Sequence, residues 1–114
     1  MSFFDSEVVR SEMVEISELQ EEVYGSVFNF PSMSKEQKMI HVSLLERLID
    51  KQKILYTRLS LSDDPDAKKM KDRILESAML IGLPPDVDMN IIFKNMTSLL
   101  ETMKKQIDNT GSDR

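Results

Sequence analysis

The sequence predicts an all-α protein, and three observations predict it. Apolar residues recur at spacings of three and four rather than two. Three glycines and four prolines leave long stretches of the chain uninterrupted. Helix-capping residues stand at the head of the periodic runs.

The first helix is expected from about 5 to 28. Val9, Met13, Ile16, Val23 and Val27 share a stripe that Gln20 interrupts and Leu19 widens. Ser2 or Asp5 can cap its start, and its early acids suit the positive end of the helix dipole. Phe30-Pro31-Ser32 then breaks the chain, because proline disfavours helix in the residue before it and cannot continue one itself.

A second helix is expected from 35 to about 61. Ser34 and Gln37 have the spacing of a capping box, in which each side chain satisfies a free backbone N–H of the other. Leu45, Leu48, Leu55 and Leu59 carry its stripe, with His41 and Gln52 in the same line and Leu44, Ile49 and Tyr56 beside it. The short link predicts an antiparallel hairpin with the first helix.

Asp64-Pro65 opens a third helix, expected over about 65–81. Asp64 fits the N-cap, and Pro65 fits the first helical position, where its missing N–H is harmless. Met70, Ile74, Ala78 and Ile81 form the stripe. Gly82 fits the left-handed residue after the helix, and Pro84-Pro85 enforces the stop. The fourth helix is expected over about 88–108, with Ile92, Met96, Leu99, Met103 and Ile107 at heptad-like spacing and Phe93 and Leu100 alongside. Residues 1–108 therefore read as one helical domain and 109–114 as a flexible polar tail.

The charge is unevenly placed. Residues 1–28 carry seven acids against Arg10, a net −6, whereas residues 34–60 carry six bases against three acids, a net +3. An acidic first helix would lie beside a basic second one. The overall charge of −5 disfavours direct nucleic-acid binding, which needs clustered Lys and Arg. The chain has no cysteine, which removes disulfides, thiolate metal sites and Cys nucleophiles. It shows no secretory signal and no apolar stretch of membrane-spanning length, so the expectation is a soluble, cytoplasmic protein.

The chemistry-bearing residues have plainer readings. His41 is the single histidine and has no evident Cys, His or Ser partner. Glu15, Glu18 and Glu22 share a helix face but lack the His or loop carbonyl that would close a metal site. Asp63, Asp64 and Asp66 are explained by a cap and a tight turn. Lys68, Lys69, Lys71 and Arg73 are interrupted by Asp72 and lack aromatic platforms for bases. Asn95-Met96-Thr97 matches the glycosylation sequon inside a helix, a chance match. No phosphate loop or nucleophile elbow is present. No catalytic, cofactor-binding or metal residue is expected, and the chain reads as a non-enzyme.

The nine methionines suit either core filling or an adaptable binding surface. The candidate partner-binding residues are Phe3, Phe4, Met13, Met96 and Met103. The expected partner is a protein, with a homodimer as one candidate assembly.

Three stretches carry a family resemblance: Met1 to Glu7, Phe30 to Lys35, and the block from Lys51 to Pro65 (KQKILYTRLSLSDDP). Over about residues 1–103 the chain resembles an uncharacterised domain-of-unknown-function family of short proteins, found mainly in cyanobacteria and their phages. The resemblance implies a cytoplasmic protein of such an organism and implies no activity. The resulting expectation is a non-enzymatic interaction, adaptor or regulatory protein. The alternative is a transcription-associated or nucleic-acid-associated regulator acting through the basic second and third helices.

Overall fold

The structure is a computed structural model and describes residues 2–112, with side chains described through 109. Among those residues there are α-helices and no strand: α1 (Glu7–Ser26), α2 (Lys35–Leu61), α3 (Pro65–Leu80) and α4 (Met89–Ser112). Short 3₁₀ helices stand at Phe3–Asp5 and Val27–Ser32.

The capping chemistry sets the starts. Ser6 Oγ accepts the N–H of Val9 and opens α1. Ser34 and Gln37 form the reciprocal capping box of α2. Asp64 caps α3 by accepting the N–H of Asp66 at 2.8 Å, with Pro65 following it. Asp88 accepts the N–H of Asn90 at 2.9 Å at the head of α4.

The stops also have local causes. Gly82 takes φ +100°, the N–H of Leu83 reaches the carbonyl of Ala78, and that of Gly82 reaches Met79. This is the Schellman arrangement that satisfies the last carbonyls of α3. At the end of α1, Ser26 Oγ donates back to the carbonyl of Glu22 at 3.1 Å. The chain tightens there into the 3₁₀ helix that contains Pro31. The first α-helix therefore ends at Ser26 rather than 28. At the other end α4 runs past 108 to Ser112, and Asp113 and Arg114 of the expected tail lie outside the described residues.

α2 is the central element. α1 and α4 each pack along it rather than on one another, and α3 packs on it as well. Both neighbours are antiparallel to it. Glu12, Glu15 and Ser26 of α1 meet Arg58, Lys51 and His41 of α2, so numbers rise along one helix as they fall along the other. Lys104 meets Glu46 at 3.0 Å and Asp108 meets Lys35 at 3.4 Å on the α4 side. Exposed pairs of this kind contribute about 0–1 kcal/mol each, so they set register more than stability.

Stability comes from two apolar clusters. Ile16, Leu19 and Val23 of α1 pack on Leu48, with Leu44, Leu45 and Leu55 around them. Tyr56, Ala78, Met89 and Phe93 form the second, joining α2, α3 and α4, and the Tyr56 and Phe93 rings meet edge to face at 6.0 Å. Val42 and Leu59 of α2 are the most deeply buried large side chains. The stripe expected for α4 is rotated in the fold. Met89, Phe93 and Leu100 are buried, while Leu99 stays 60 % exposed. Ile81, expected in the α3 stripe, is exposed beyond the helix end.

The N-terminus is fastened to the α2–α3 joint. The second oxygen of Asp64 accepts the N–H of Phe3, so one carboxylate serves two elements far apart in sequence. The backbone N–H groups of Asp66 and then of Phe3 hold this carboxyl below the ordinary carboxylate range. The hydrogen bond and charge of Lys51 do the same to Glu15.

Truncating Leu59, 1 % exposed, to alanine should lower unfolding stability by about 2–5 kcal/mol, read by chemical denaturation. A loss below 1 kcal/mol would contradict its core position. The two carboxylates have lowered folded pKa values, so their stabilisation is complete above the ordinary carboxylate range and is lost as pH falls through the folded values. Asp64→Asn and Glu15→Gln should each flatten that acid-side decline in thermal melts. An unchanged acid limb in both variants would refute the assignment.

Candidate functional site

His41 is buried, 4 % exposed, in the first turns of α2. Its Nδ1 lies 3.2 Å from Ser26 Oγ, and its ring stands 5.3 Å from Phe30. The sequence reading found no serine partner for His41, and the hairpin supplies one. Ser26 and His41 sit on either side of the break at Pro31, so the antiparallel register that the short link implies was the signal that could have found them. Ser26 Oγ also lies 3.1 and 3.4 Å from the carbonyls of Glu22 and Val23, which can accept its single proton. With the proton on those carbonyls, Nδ1–H of His41 donates to Ser26 Oγ, the reverse of what an activated serine needs. Lys38, 5.6 Å above the Phe30 ring, completes a packed corner.

The acidic candidates are divided by the fold. Glu12 and Glu15 turn to α2 and pair with Arg58, Lys51 and, at 4.0 Å, Arg47. Glu18, Glu21 and Glu22 face solvent. Both Asp64 oxygens accept backbone N–H groups, so Asp64 works as a cap and a clasp. Among the described residues, no three His, Cys, Asp or Glu side chains gather in a metal-holding group.

The basic candidates are divided as well. Arg47, Lys51 and Arg58 bind α1, and Lys35 binds Asp108 of α4. Lys71 lies 6.0 Å over the Tyr56 ring. Lys68, Lys69 and Arg73 remain exposed on α3.

One concave feature among the described residues is largely apolar. Ile16 of α1, Gln52, Leu55, Tyr56 and Leu59 of α2, Ile74 of α3, and Met89, Phe93 and Met96 of α4 surround a cavity of about 340 Å³. That volume is at the lower end of the range that accepts a ligand or a large side chain. Gln52, which interrupts the leucine stripe of α2, is the amide among these walls.

The partner-binding candidates fall in two places. Met96 lines the cavity, and Met103 lies two turns further along the same flank of α4, half-buried. Met13 is half-buried on α1, one turn before Ile16. Phe3 and Phe4 sit apart from these. Their rings meet edge to face at 5.1 Å in the N-terminal 3₁₀ helix, which packs on α1 and α3, so they fasten that end of the fold.

No helix among the described residues is long and apolar enough to cross a membrane. Residues 1–107 match the family described as a domain of unknown function (DUF1825), and the chain belongs to that family. No curated protein and no solved structure matches it.

Removing the hydroxyl with Ser26→Ala should strand His41 Nδ1 and lower stability by about 1–3 kcal/mol. Nitrogen NMR of the imidazole should show the Nδ1-protonated tautomer in the unsubstituted protein. A ring protonated on Nε2 alone would overturn this reading of the corner.

Proposed function

We propose that this member of the family is a non-enzymatic interaction protein, an adaptor or regulator that receives an apolar segment of a protein partner. The observation that carries the reading is the apolar cavity where the four helices meet, walled by Met89, Phe93 and Met96 beside the single amide of Gln52. Flexible thioethers suit a surface that must adapt to an incoming side chain. The setting that goes with this reading, from the resemblance noted in the sequence, is the cytoplasm of a cyanobacterium or of a cell infected by its phage.

The regulator of transcription or nucleic acid is the weaker reading. Four of the six bases between residues 34 and 60 are engaged by acids of α1 and α4, which leaves a thin electrostatic footprint for a phosphate backbone. The non-enzymatic reading draws support from the Ser26–His41 corner, where the serine hydroxyl has two backbone carbonyls of its own helix as acceptors.

Affinity capture from native lysate should return a stoichiometric protein with the unsubstituted chain. Met96→Glu, which places a charge at the cavity wall, should reduce that capture at least tenfold with helix content unchanged (about 1.4 kcal/mol). Equal capture by both proteins would remove the cavity from the interface. Salt-sensitive retention on DNA, with no protein captured, would favour the regulator instead.

A further inference from the structure

We propose that the turn end of the α1–α2 hairpin binds an organic cation, a guanidinium or ammonium group carried on an aliphatic stem. The turn through Pro31 folds the end of α1 back beside the start of α2. Residues of both helices and of the 3₁₀ helix between them surround a cavity of about 420 Å³ there. No residue lines both this cavity and the apolar one where the four helices meet, so the two sites are separate.

Hydrogen bonding selects the ligand first. Some polar side chains of the walls are engaged within the chain. Ser26 Oγ meets His41 and its own helix, Ser32 Oγ donates to the carbonyl of Asn29, and Gln37 Oε1 accepts the N–H of Ser34. Acceptors on three other residues are left over. Glu22 is the one charged side chain of the lining, and it makes no ion pair among the described residues. The side-chain amide of Asn29 has no hydrogen bond among them either. His41 is only 4 % exposed. With its Nδ1–H turned to Ser26, its Nε2 presents a lone pair that no donor of the described chain fills. An acceptor on a buried ring without a donor is a deficit that a ligand carrying N–H groups removes.

Charge narrows the choice. A carboxylate with no base beside it in the cavity repels an anion and attracts a cation. A metal ion fits poorly, because one carboxylate and one imidazole fall short of the roughly three or four protein ligands that hold one. Among the described residues no three His, Cys, Asp or Glu side chains gather here or elsewhere. An organic cation brings several N–H donors on one head, which separate acceptors can share. The rest of the wall suits a stem. Ile40 is 62 % exposed, and with the half-buried Met33 and Leu44 it offers aliphatic surface beside the acceptors. Arginine and lysine side chains have this form, a charged head on an apolar stem. Free alkylguanidines and alkylamines share it.

The test is an NMR titration of the full chain with propylguanidinium, with propylurea as its uncharged counterpart. Propylguanidinium should give saturable shifts of His41 Nε2 and of the Met33 and Ile40 methyl groups, and propylurea should give none. Glu22→Gln, at an exposed position, should weaken binding about tenfold with helix content unchanged. Asn29→Ala, also exposed, should weaken it as well. Glu18→Gln, an exposed acid outside the cavity, should leave it unchanged. Absence of saturable shifts at these residues would overturn the proposal. So would equal shifts from propylurea, or an affinity that Glu22→Gln leaves intact. A capped glycine pentapeptide with one central arginine separates the two sources of the cation. Shifts of the same residues by this peptide would support the site and assign it to a partner protein's side chain. Binding of propylguanidinium without binding of the peptide would support the site and assign it to a small free cation.

Discussion

The fold depends on one constraint: α2 has to be covered on two sides at once. Its apolar residues spread beyond a single stripe, with Leu48 and Leu55 toward α1 and Ile49 and Tyr56 toward α3 and α4. A helix with one apolar stripe needs one neighbour; a helix apolar over more of its circumference must lie between neighbours. α1 and α4 therefore flank it, and neither needs to touch the other extensively. The extents of 56 × 31 × 20 Å reflect helices arrayed along a central rod rather than closed into a round bundle. The same arrangement leaves the flanks of α1 and α4 open to solvent and creates the cavity that both helix flanks and Ile74 border.

Polar groups refine this plan rather than drive it. Acids of α1 against bases of α2 select the antiparallel register, and Lys104 with Glu46 repeats the device on the other side. Glu12 shows the limit of such pairing. One of its oxygens accepts from Arg58 at 3.0 Å, while the other is buried without a hydrogen-bond partner. That orphan oxygen carries a desolvation penalty that the pairing only partly offsets.

Much of this was legible in the sequence, because caps and breaks are local. Ser34 with Gln37, Asp64 with Pro65, and Gly82 with its prolines act within a few residues, and the helix ends near them follow. Three features that the sequence did not show have non-local causes. The end of α1 is set by Ser26, which turns back to its own helix and also meets His41 across the hairpin. The second role of Asp64 depends on Phe3, which no periodicity places beside it. The buried face of α4 is chosen by α2. Two overlapping apolar stripes were available, one through Phe93 and Leu100 and the other through Ile92 and Leu99; heptad spacing singled out the second, in which Ile92 and Met96 stand half-buried against the cluster and Leu99 is exposed. The methionine candidates were legible as a class, and Met96 is one of the walls of the cavity. What they bind could not be read from spacing, because recognition depends on the shape of the space between helices.

The order of the chain gives the central position of α2 a temporal side. The α1–α2 hairpin closes through a short link and is complete once residue 61 has been synthesised. The second covering of α2 comes from α4, and its ion pair between Glu46 and Lys104 spans 58 residues. Until the ribosome has released that last segment, Ile49 and Tyr56 lack the Phe93 side of their cluster. The nascent hairpin thus carries an uncovered apolar flank for the time needed to make α3 and much of α4, the interval in which exposed apolar surface invites aggregation or a chaperone.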